Sequence, residues 1–493
     1  MRKFRRIALW TLGVLAALVV LASIAGVLIV RSDRFHQYVH RRIVEEIERA
    51  TGGRVELGGY SLDWHNLTAQ VQQLVIHGKE STVEPPLLQV GSATLGLRII
   101  SVLEKKIDLA SLRIERPQAY FVVYPDGSTN FPGPPGRSDK LWSEELLNLK
   151  VGTYEVVDGQ VEYEGERIPL HLKGEHLRAR MSYEAQTPSY RGDVSTDNLQ
   201  VTAEGYGPIA TSMSATFALE KSRIVLPRVH VATKESSADL SGTLEDPRSP
   251  RGTLAMKVTA SVREAVRIFN LPIEPLGSAS FDGQVNVAFD QPLTSILRGH
   301  VVARGLGYTQ DRLKIQDADV RADLQLTRDR LTLRQMTGTA LGANIAGQAN
   351  LEHGQQFHAE GTIDNLDLRR AAAIFTDRPV AWNGTMAGTF STDVTVGQRD
   401  AMARAALSIT PAAGGTPPAS GSPVEGHLDA TYDQASGTVA LGSSSFATPA
   451  TRVEVSGTLG QMLQVRLRST DLNDLLPALA MAEDNPPSDI FPR

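Results

Sequence analysis

The chain contains no cysteine among its 493 residues. This absence excludes disulfides, a lipid-modified N-terminal cysteine and a Cys–His nucleophile. Aromatic residues make up only 6% of the chain, whereas it has 42 glycines and 26 prolines. That balance favours many short strands and turns over compact enzyme domains. The net charge is −5 with both signs dispersed, so no basic surface for nucleic acid is expected.

The sequence also lacks the motifs of common catalytic sites. It contains neither a Gly-x-Ser-x-Gly elbow nor a Gly-x4-Gly-Lys-Ser/Thr phosphate loop. An exported hydrolase is therefore the least favoured of three functional hypotheses. We expect no catalytic residue, no cofactor and no enzymatic activity.

Two pairs of side chains have spacings that metal sites use. His36 and His40 lie four residues apart on a predicted helix, but Gln37 replaces the glutamate of the zincin motif. Asp317 and Asp319 alternate on a predicted strand and share its water-facing side. Two water-facing histidines and two solvated carboxylates are the simpler interpretations, so we expect no metal site.

A long uncharged run opens the chain. Ile7–Val30 spans 24 residues and follows Arg2, Lys3, Arg5 and Arg6. About 20 apolar residues suffice for a helix to cross the hydrocarbon core. We predict a transmembrane anchor with a cytoplasmic N-terminus, because cations mark the inner side. The alternative is a cleaved signal peptide, for which Leu21–Gly26 is a weak cleavage site.

A soluble helix is predicted directly after the anchor. Ser32 or Asp33 can cap its start, and Gly52-Gly53 can end it. Apolar residues repeat along one face, whereas the other face is charged. The apolar positions are Phe35, Val39, Ile43 and Ile47; the charged ones are Arg41, Arg42, Glu45, Glu46 and Glu48. We expect this helix to cap the end of a β-sheet.

From Arg54 onward the dominant period is two, which is typical of antiparallel strands with one apolar and one wet face. The fold class is therefore mainly β, with short helices between strands. Links such as Thr327–Arg330 are predicted hairpin turns. The candidate residues for an apolar binding face are Phe281, Val285, Val287, Phe289, Leu324, Leu326, Val453 and Val455.

A weak internal repeat is also present. Gly242, Gly347 and Gly457 occupy the centres of similar strands and lie 105 and 110 residues apart. Each such strand is followed by another strand and then by a short helical pattern, at 262–269, 368–375 and 472–479. The unit predicts an array of packed strand–strand–helix repeats, with bulges or bends at its glycines.

Loop-rich stretches suggest the boundaries of domains. Pro125–Lys140 and Pro411–Pro423 are rich in turn residues, and 483–493 is polar and Pro-rich. We predict a cytoplasmic tip and anchor, an N-terminal domain with the capping helix, a repeated β segment, a final repeat and a disordered tail. Their ranges are 1–31, 32–131, 132–410, 411–482 and 483–493.

Several segments together are similar to a known family. They are the anchor and its helix, Ala50–Leu57 (ATGGRVEL), Ile107–Ile114 (IDLASLRI), Arg116-Pro117 and Asp126–Phe131 (DGSTNF). In this order they resemble the start of AsmA-like proteins, the group that includes TamB. The resemblance covers roughly residues 1–131 and is weaker beyond. A C-terminal domain of the kind that engages an outer-membrane partner is not recognised here.

The resemblance implies a single-pass protein of the bacterial inner membrane, held through residues 7–30, with its body in the periplasm. It implies an elongated, curved antiparallel sheet that forms an apolar groove. This groove would carry phospholipid between the inner and outer membranes and so support outer-membrane biogenesis. A second hypothesis is a non-enzymatic scaffold for assembly of outer-membrane proteins. The partners implied are the inner membrane, phospholipid and an outer-membrane or periplasmic protein.

Overall fold

The structure is a computed structural model of the chain. It describes residues 33–63, 65–81, 83–97, 109–132, 142–166, 169–203, 206–247, 249–268, 275–288, 296–310, 313–373, 380, 382–396, 398, 400–412, 422–471 and 474. The chain forms two compact units, Met1–Ser222 and Arg223–Arg493. Each unit is described separately below.

The first unit contains two described helices and eight strands. The helices are α1 (Asp33–Thr51) and α2 (Trp142–Leu149). The strands are β1 (Arg54–Asp63), β2 (Thr68–His77), β3 (Leu88–Leu97), β4 (Leu109–Val123), β5 (Thr153–Gly165), β6 (Leu170–Glu184), β7 (Ser189–Ala203) and β8 (Tyr206–Leu219).

The second unit contains two short described helices, α3 (Val262–Ile268) and α4 (Leu368–Ala372). Its strands are β9 (Arg223–Ala232), β10 (Ser237–Glu245), β11 (Arg251–Ser261), β12 (Pro275–Ala288), β13 (Ile296–Gln310), β14 (Leu313–Leu326), β15 (Arg330–Ala340), β16 (Ala343–Glu352), β17 (Gln356–Asp367), β18 (Trp382–Asn383), β19 (Thr385–Thr395), β20 (Asp400–Thr410), β21 (Ser422–Pro423), β22 (Glu425–Asp433), β23 (Thr438–Ala447), β24 (Thr451–Thr458) and β25 (Leu463–Ser469).

The strands within each unit pair almost entirely with their neighbours in sequence and run antiparallel. The prediction of a mainly β, antiparallel protein with few helices is therefore confirmed. One exception lies in the first unit, where β4 and β5 run parallel, from Ser111 opposite Thr153 to Val123 opposite Gly165. Parallel neighbours need a crossover, and α2 lies in this connection. In the second unit, the two-residue strands β18 and β21 also pair in parallel.

Helix α1 covers one face of the first strands, as its apolar stripe predicts. Ile43, Val44 and Ile47 pack against a core that includes Val55, Val71 and Ile76. The other core members are Leu74, Val90 and Ala93. Glu48, which the sequence places on the charged face, is half-buried, and its carboxylate accepts a hydrogen bond from the N–H of Val55 at 3.0 Å.

The Asp126–Phe131 motif forms a turn that fastens the end of β4. Asp126 accepts a hydrogen bond from the N–H of Ser128 at 2.8 Å, and Gly127 has a φ of 83°. Asn130 is only 1% exposed, and its carbonyl accepts from the N–H of Lys79 at 2.7 Å. The motif is thus a structural joint between the end of β4 and the chain after β2.

The glycine repeat of the sequence corresponds to a repeat of bulges in the second unit. Next to Gly242, Gly347 and Gly457, the preceding strand carries one extra residue. A bulge bends its strand and increases the local twist. The predicted helical patterns at 262–269 and 368–375 correspond to α3 and α4. Of the third pattern, 472–479, only Asp474 is described.

Helix α4 covers the apolar face at one end of the strands from β16 to β20 in the second unit. Leu368 and Ala371 pack against a core whose buried members include Met386 and Ile409. The remaining buried members are Ala343, Leu366, Leu407 and Val424. Part of the predicted linker contributes to this closure, because Ser422-Pro423 forms β21, and the following Val424 donates its N–H to Asn383.

Several predictions fall outside the described residues. These are the anchor at 7–30, residues 133–140 and 413–421 of the two loop segments, the tail at 483–493 and Phe289. In the part of the chain that the structure does describe, no helix combines the length and apolar character needed to span a membrane. The predicted domain boundaries stay predictions.

Candidate functional site: the apolar face of the second unit

The two faces of the second unit's sheet differ in chemistry along its central strands. On β12, Asp282, Gln284 and Asn286 are exposed, whereas Phe281 is buried and Val285 is half-buried. This alternation follows from the two-residue period of a strand, which sends neighbouring side chains to opposite faces. The sheet therefore has one wet face and one apolar face, as the sequence predicts.

Large apolar side chains form an unbroken line across the apolar face. Eight neighbouring strands, β11 to β17 and then β19, each contribute one residue, and each residue lies directly opposite the next. We call this line the apolar row. Its members are Leu254, Val285, Leu297, Leu326, Leu331, Leu351, Phe357 and Val394. At the usual spacing between strands, the row is about 34 Å long.

The apolar row is only partly covered. Leu254 at one end is 7% exposed, but Leu326 in the middle is 39% exposed. The other six side chains are intermediate in exposure. At the end of the strands where α4 packs, by contrast, Met386 and Ile409 are 4% and 3% exposed. The apolar face is thus sealed near α4 and accessible along the row.

The structure brings most of the predicted face residues together. Val285 and Leu326 belong to the apolar row, and Val287 and Leu324 lie on the same face beside it. Phe281 is also on this face but is 8% exposed, with its ring over Gly283 and Gly299. Val453 and Val455 are half-buried on β24, which is five strands beyond β17 in the sheet order.

Six members of the row were missed by our sequence interpretation. They lie on β11, β13, β15, β16, β17 and β19 and are Leu254, Leu297, Leu331, Leu351, Phe357 and Val394. The alternation in these strands indicated an apolar face, but one sequence does not reveal the cross-strand register that aligns these residues. A shift of one residue would send a whole strand's apolar set to the wet face.

The wet face carries its own line of side chains, in which cationic residues or histidines alternate with aspartates. We call it the charge ladder, and each member lies directly opposite the next on the strands β9 to β15. Its members are His230, Asp239, Lys257, Asp282, His300, Asp323 and Arg334. Opposite charges across a strand pair are favourable and like charges are not, so the ladder supports one register.

Close contacts within the ladder set the electrostatics of this face. Nζ of Lys257 lies 3.3 Å from a carboxylate oxygen of Asp282, and His300 contacts Asp323 at 2.6 Å. His230 and Arg228 both reach Asp239 at 3.0 Å, and these hydrogen bonds, that from His230 foremost, lower the pKa of Asp239. The charged groups of the ladder are thus segregated to the wet face.

The candidate metal pairs prove to be separate features. His36 is exposed, as predicted, but His40 is half-buried with Nε2 3.0 Å from the carbonyl oxygen of Leu57, so its prediction was wrong. Asp317 and Asp319 are both exposed, and Asp319 accepts from the N–H of Gly305 at 2.9 Å. Among the described residues, no cluster of three or more His, Asp or Glu side chains is arranged for a metal ion.

The accessible apolar row is consequently the feature of the described residues that is best suited to a ligand. Its members offer hydrocarbon contact and carry no charge, which suits an apolar chain. Neither a protein-family model nor a curated protein matches this chain.

Proposed function

We propose that the apolar face of the second unit binds the acyl chains of phospholipids and carries them along the sheet. The observation that supports this proposal is the apolar row, whose eight large side chains are in register and, apart from Leu254, only partly covered. An acyl chain that lies along the row removes apolar surface from water. This burial contributes roughly 25 cal/mol for each Å² covered.

A curved sheet would strengthen this role. We propose that the second unit's sheet bends around the apolar row and forms a trough. The bulges beside Gly242, Gly347 and Gly457 support it, since bulges bend strands at recurring positions. Such a trough leaves lipid headgroups in water at its open side.

The proposed cellular setting follows from the sequence. A helix at residues 7–30 would hold the chain in the inner membrane, with the body in the periplasm and phospholipid as its cargo. Transfer along an apolar face requires no catalytic residue, so we propose a non-enzymatic carrier that supports outer-membrane biogenesis.

Site-specific photocrosslinking tests the proposal. A photoreactive amino acid replaces Val285 or Leu326 in the row, and matched controls replace Gln284 or Gln325, the adjacent residues on the wet face. The full chain is purified from cells and crosslinked before lipid analysis. We expect phospholipid adducts at the two row positions, because only these side chains face the acyl chains.

Adducts in equal yield on both faces would contradict the proposal, as would their absence from the row when the protein is folded. Circular dichroism of each variant checks that the β structure is retained.

A further inference from the structure

The last described strand of the second unit, β25, exposes apolar side chains, whereas an equivalent side chain on β11 is covered. Leu463, Val465 and Leu467 on β25 are 40%, 56% and 43% exposed. They lie directly opposite Gly457, Val455 and Val453, on the apolar face of the sheet. Among the described residues, β25 pairs only with β24, and no other described strand lies along its second edge.

The internal repeat shows what covers the corresponding edge elsewhere. Leu254 of β11 lies opposite the repeat glycine Gly242, as Leu463 of β25 lies opposite Gly457. Leu254 is 7% exposed, whereas Leu463 is 40% exposed. The difference has a structural cause, because β12 follows on the far edge of β11 and places Val285 beside Leu254.

Charged residues on the wet face of the same edge indicate which charge a pairing strand should carry. Asp239 and Glu454 both stand three residues before a repeat glycine, and they lie opposite Lys257 and Arg466. On β11 the next strand continues the alternation, since Asp282 lies 3.3 Å from Lys257. Arg466 contacts Glu454 at 3.1 Å and is 72% exposed, with its other side open.

We infer that the free edge of β25 accepts an antiparallel β-strand from another polypeptide, with apolar residues on alternate positions and a carboxylate opposite Arg466. Main-chain hydrogen bonds along the edge would supply affinity, and the alternating side chains would supply specificity. This inference is independent of whether the apolar face carries lipid.

Charge disfavours a second copy of the same edge as the occupant. Antiparallel pairing of two β25 strands brings Arg466 and Arg468 of one copy near those of the other, and like charges across strands repel. Arg468 already faces Arg452 on β24. The chain's own residues 475–493 are disfavoured by prolines at 477, 486, 487 and 492, since proline cannot donate to a ladder.

The chain itself supplies a probe strand. A synthetic peptide of residues 278–288 carries the sequence of β12, which occupies the equivalent edge in the first repeat. By the register of β11 and β12, its Asp282 would lie opposite Arg466 of the full chain. Binding of the labelled peptide is measured by fluorescence anisotropy.

We expect Arg466→Glu to weaken binding of this peptide about tenfold, because one attractive pair becomes repulsive. A peptide with Asp282→Lys should restore binding to that variant. The matched control is Arg298→Glu, an exposed residue on β13, whose two edges are both paired. It should leave binding unchanged.

Disulfide trapping reads the register directly, because the natural chain has no cysteine. A Gln464→Cys chain should crosslink to a Gln284→Cys peptide faster than to a Ser280→Cys peptide.

Four results would overturn the inference. The first is absence of binding, and the second is equal binding of the natural and Asp282→Lys peptides to the Arg466→Glu chain. The third is binding only after residues 475–493 are removed. The fourth is that the Gln464→Cys chain forms disulfide dimers with itself in preference to the peptide. The third would assign the edge to the chain's own tail, and the fourth would assign it to a second copy.

Discussion

Asn130 and Val122 hold each other through two hydrogen bonds of opposite direction. The N–H of Val122 donates to the side-chain oxygen of Asn130 at 3.1 Å, and the N–H of Asn130 donates to the carbonyl of Val122 at 3.3 Å. The side-chain amide of Asn130 also donates to the carbonyl of Tyr120 at 2.7 Å. One buried side chain thus closes the turn after β4.

Removal of this side chain should destabilise the first unit. Asn130→Ala leaves backbone groups of Val122 and Tyr120 without their partner, which costs about 1–3 kcal/mol of unfolding free energy. Urea unfolding measures the loss, with Ser128→Ala, an exposed position in the same turn, as the control. A loss no larger than that of the control would contradict the structural role.

Aspartate substitutions at two positions of the apolar row should affect lipid transfer and stability differently. Leu326→Asp should cost little stability because this side chain is 39% exposed. It should slow phospholipid transfer between vesicles about tenfold through lost apolar contact. Leu254→Asp should instead unfold the second unit, because its side chain is 7% exposed and a buried unpaired charge is costly.

Gln325→Asp is the control for the transfer measurement, since it puts the same charge on the other face of β14. Equal transfer by the Leu326→Asp and Gln325→Asp proteins would show that the row does not contact lipid. Thermal unfolding of all three variants gives the comparison of stability.

Substitution of a repeat glycine by alanine should destabilise the second unit. A Cβ at Gly347 would lie 2.2 Å from the carbonyl oxygen of Glu360. Gly347→Ala therefore forces the strands apart and should cost about 1–3 kcal/mol. Gly207→Ala is the matched control, because no atom lies within 4 Å of its Cβ position. Similar urea midpoints for the two variants would contradict this close packing.

The pair of His358 and Asp393 should make stability depend on pH. Nδ1 of His358 lies 2.6 Å from Asp393, and this hydrogen bond raises the pKa of the histidine, with a further contribution from Glu360. A raised folded pKa gives stability that is fully present below the unfolded pKa and is lost as the pH rises through the folded value.

The stability difference between the natural chain and Asp393→Asn should therefore shrink from about pH 6 to about pH 8. Urea unfolding at both pH values measures it. Asp364→Asn serves as the control, because Asp364 is exposed on the wet face opposite Asn344 rather than a histidine. A pH-independent difference would show that His358 does not gain from Asp393.

Local sequence patterns predicted much of the fold. The stripe of Ile43 and Ile47 predicted a capping helix, and the alternation from Phe281 to Val287 predicted a two-faced strand; the structure has both. The crossover through α2 was missed, because parallel pairing of β4 with β5 depends on contacts between distant segments rather than on a local period.

The sequence by itself determined that the protein is mainly β, that its strands have one wet and one apolar face, and that glycines recur at bulges. Alternation and backbone freedom are local properties, so one sequence suffices to read them. Only the tertiary structure decided that Val285, Leu326 and Phe357 share one row, and that Leu254 is covered while Leu463 is exposed. Register and edge position depend on which strands meet, and that is a property of the whole sheet.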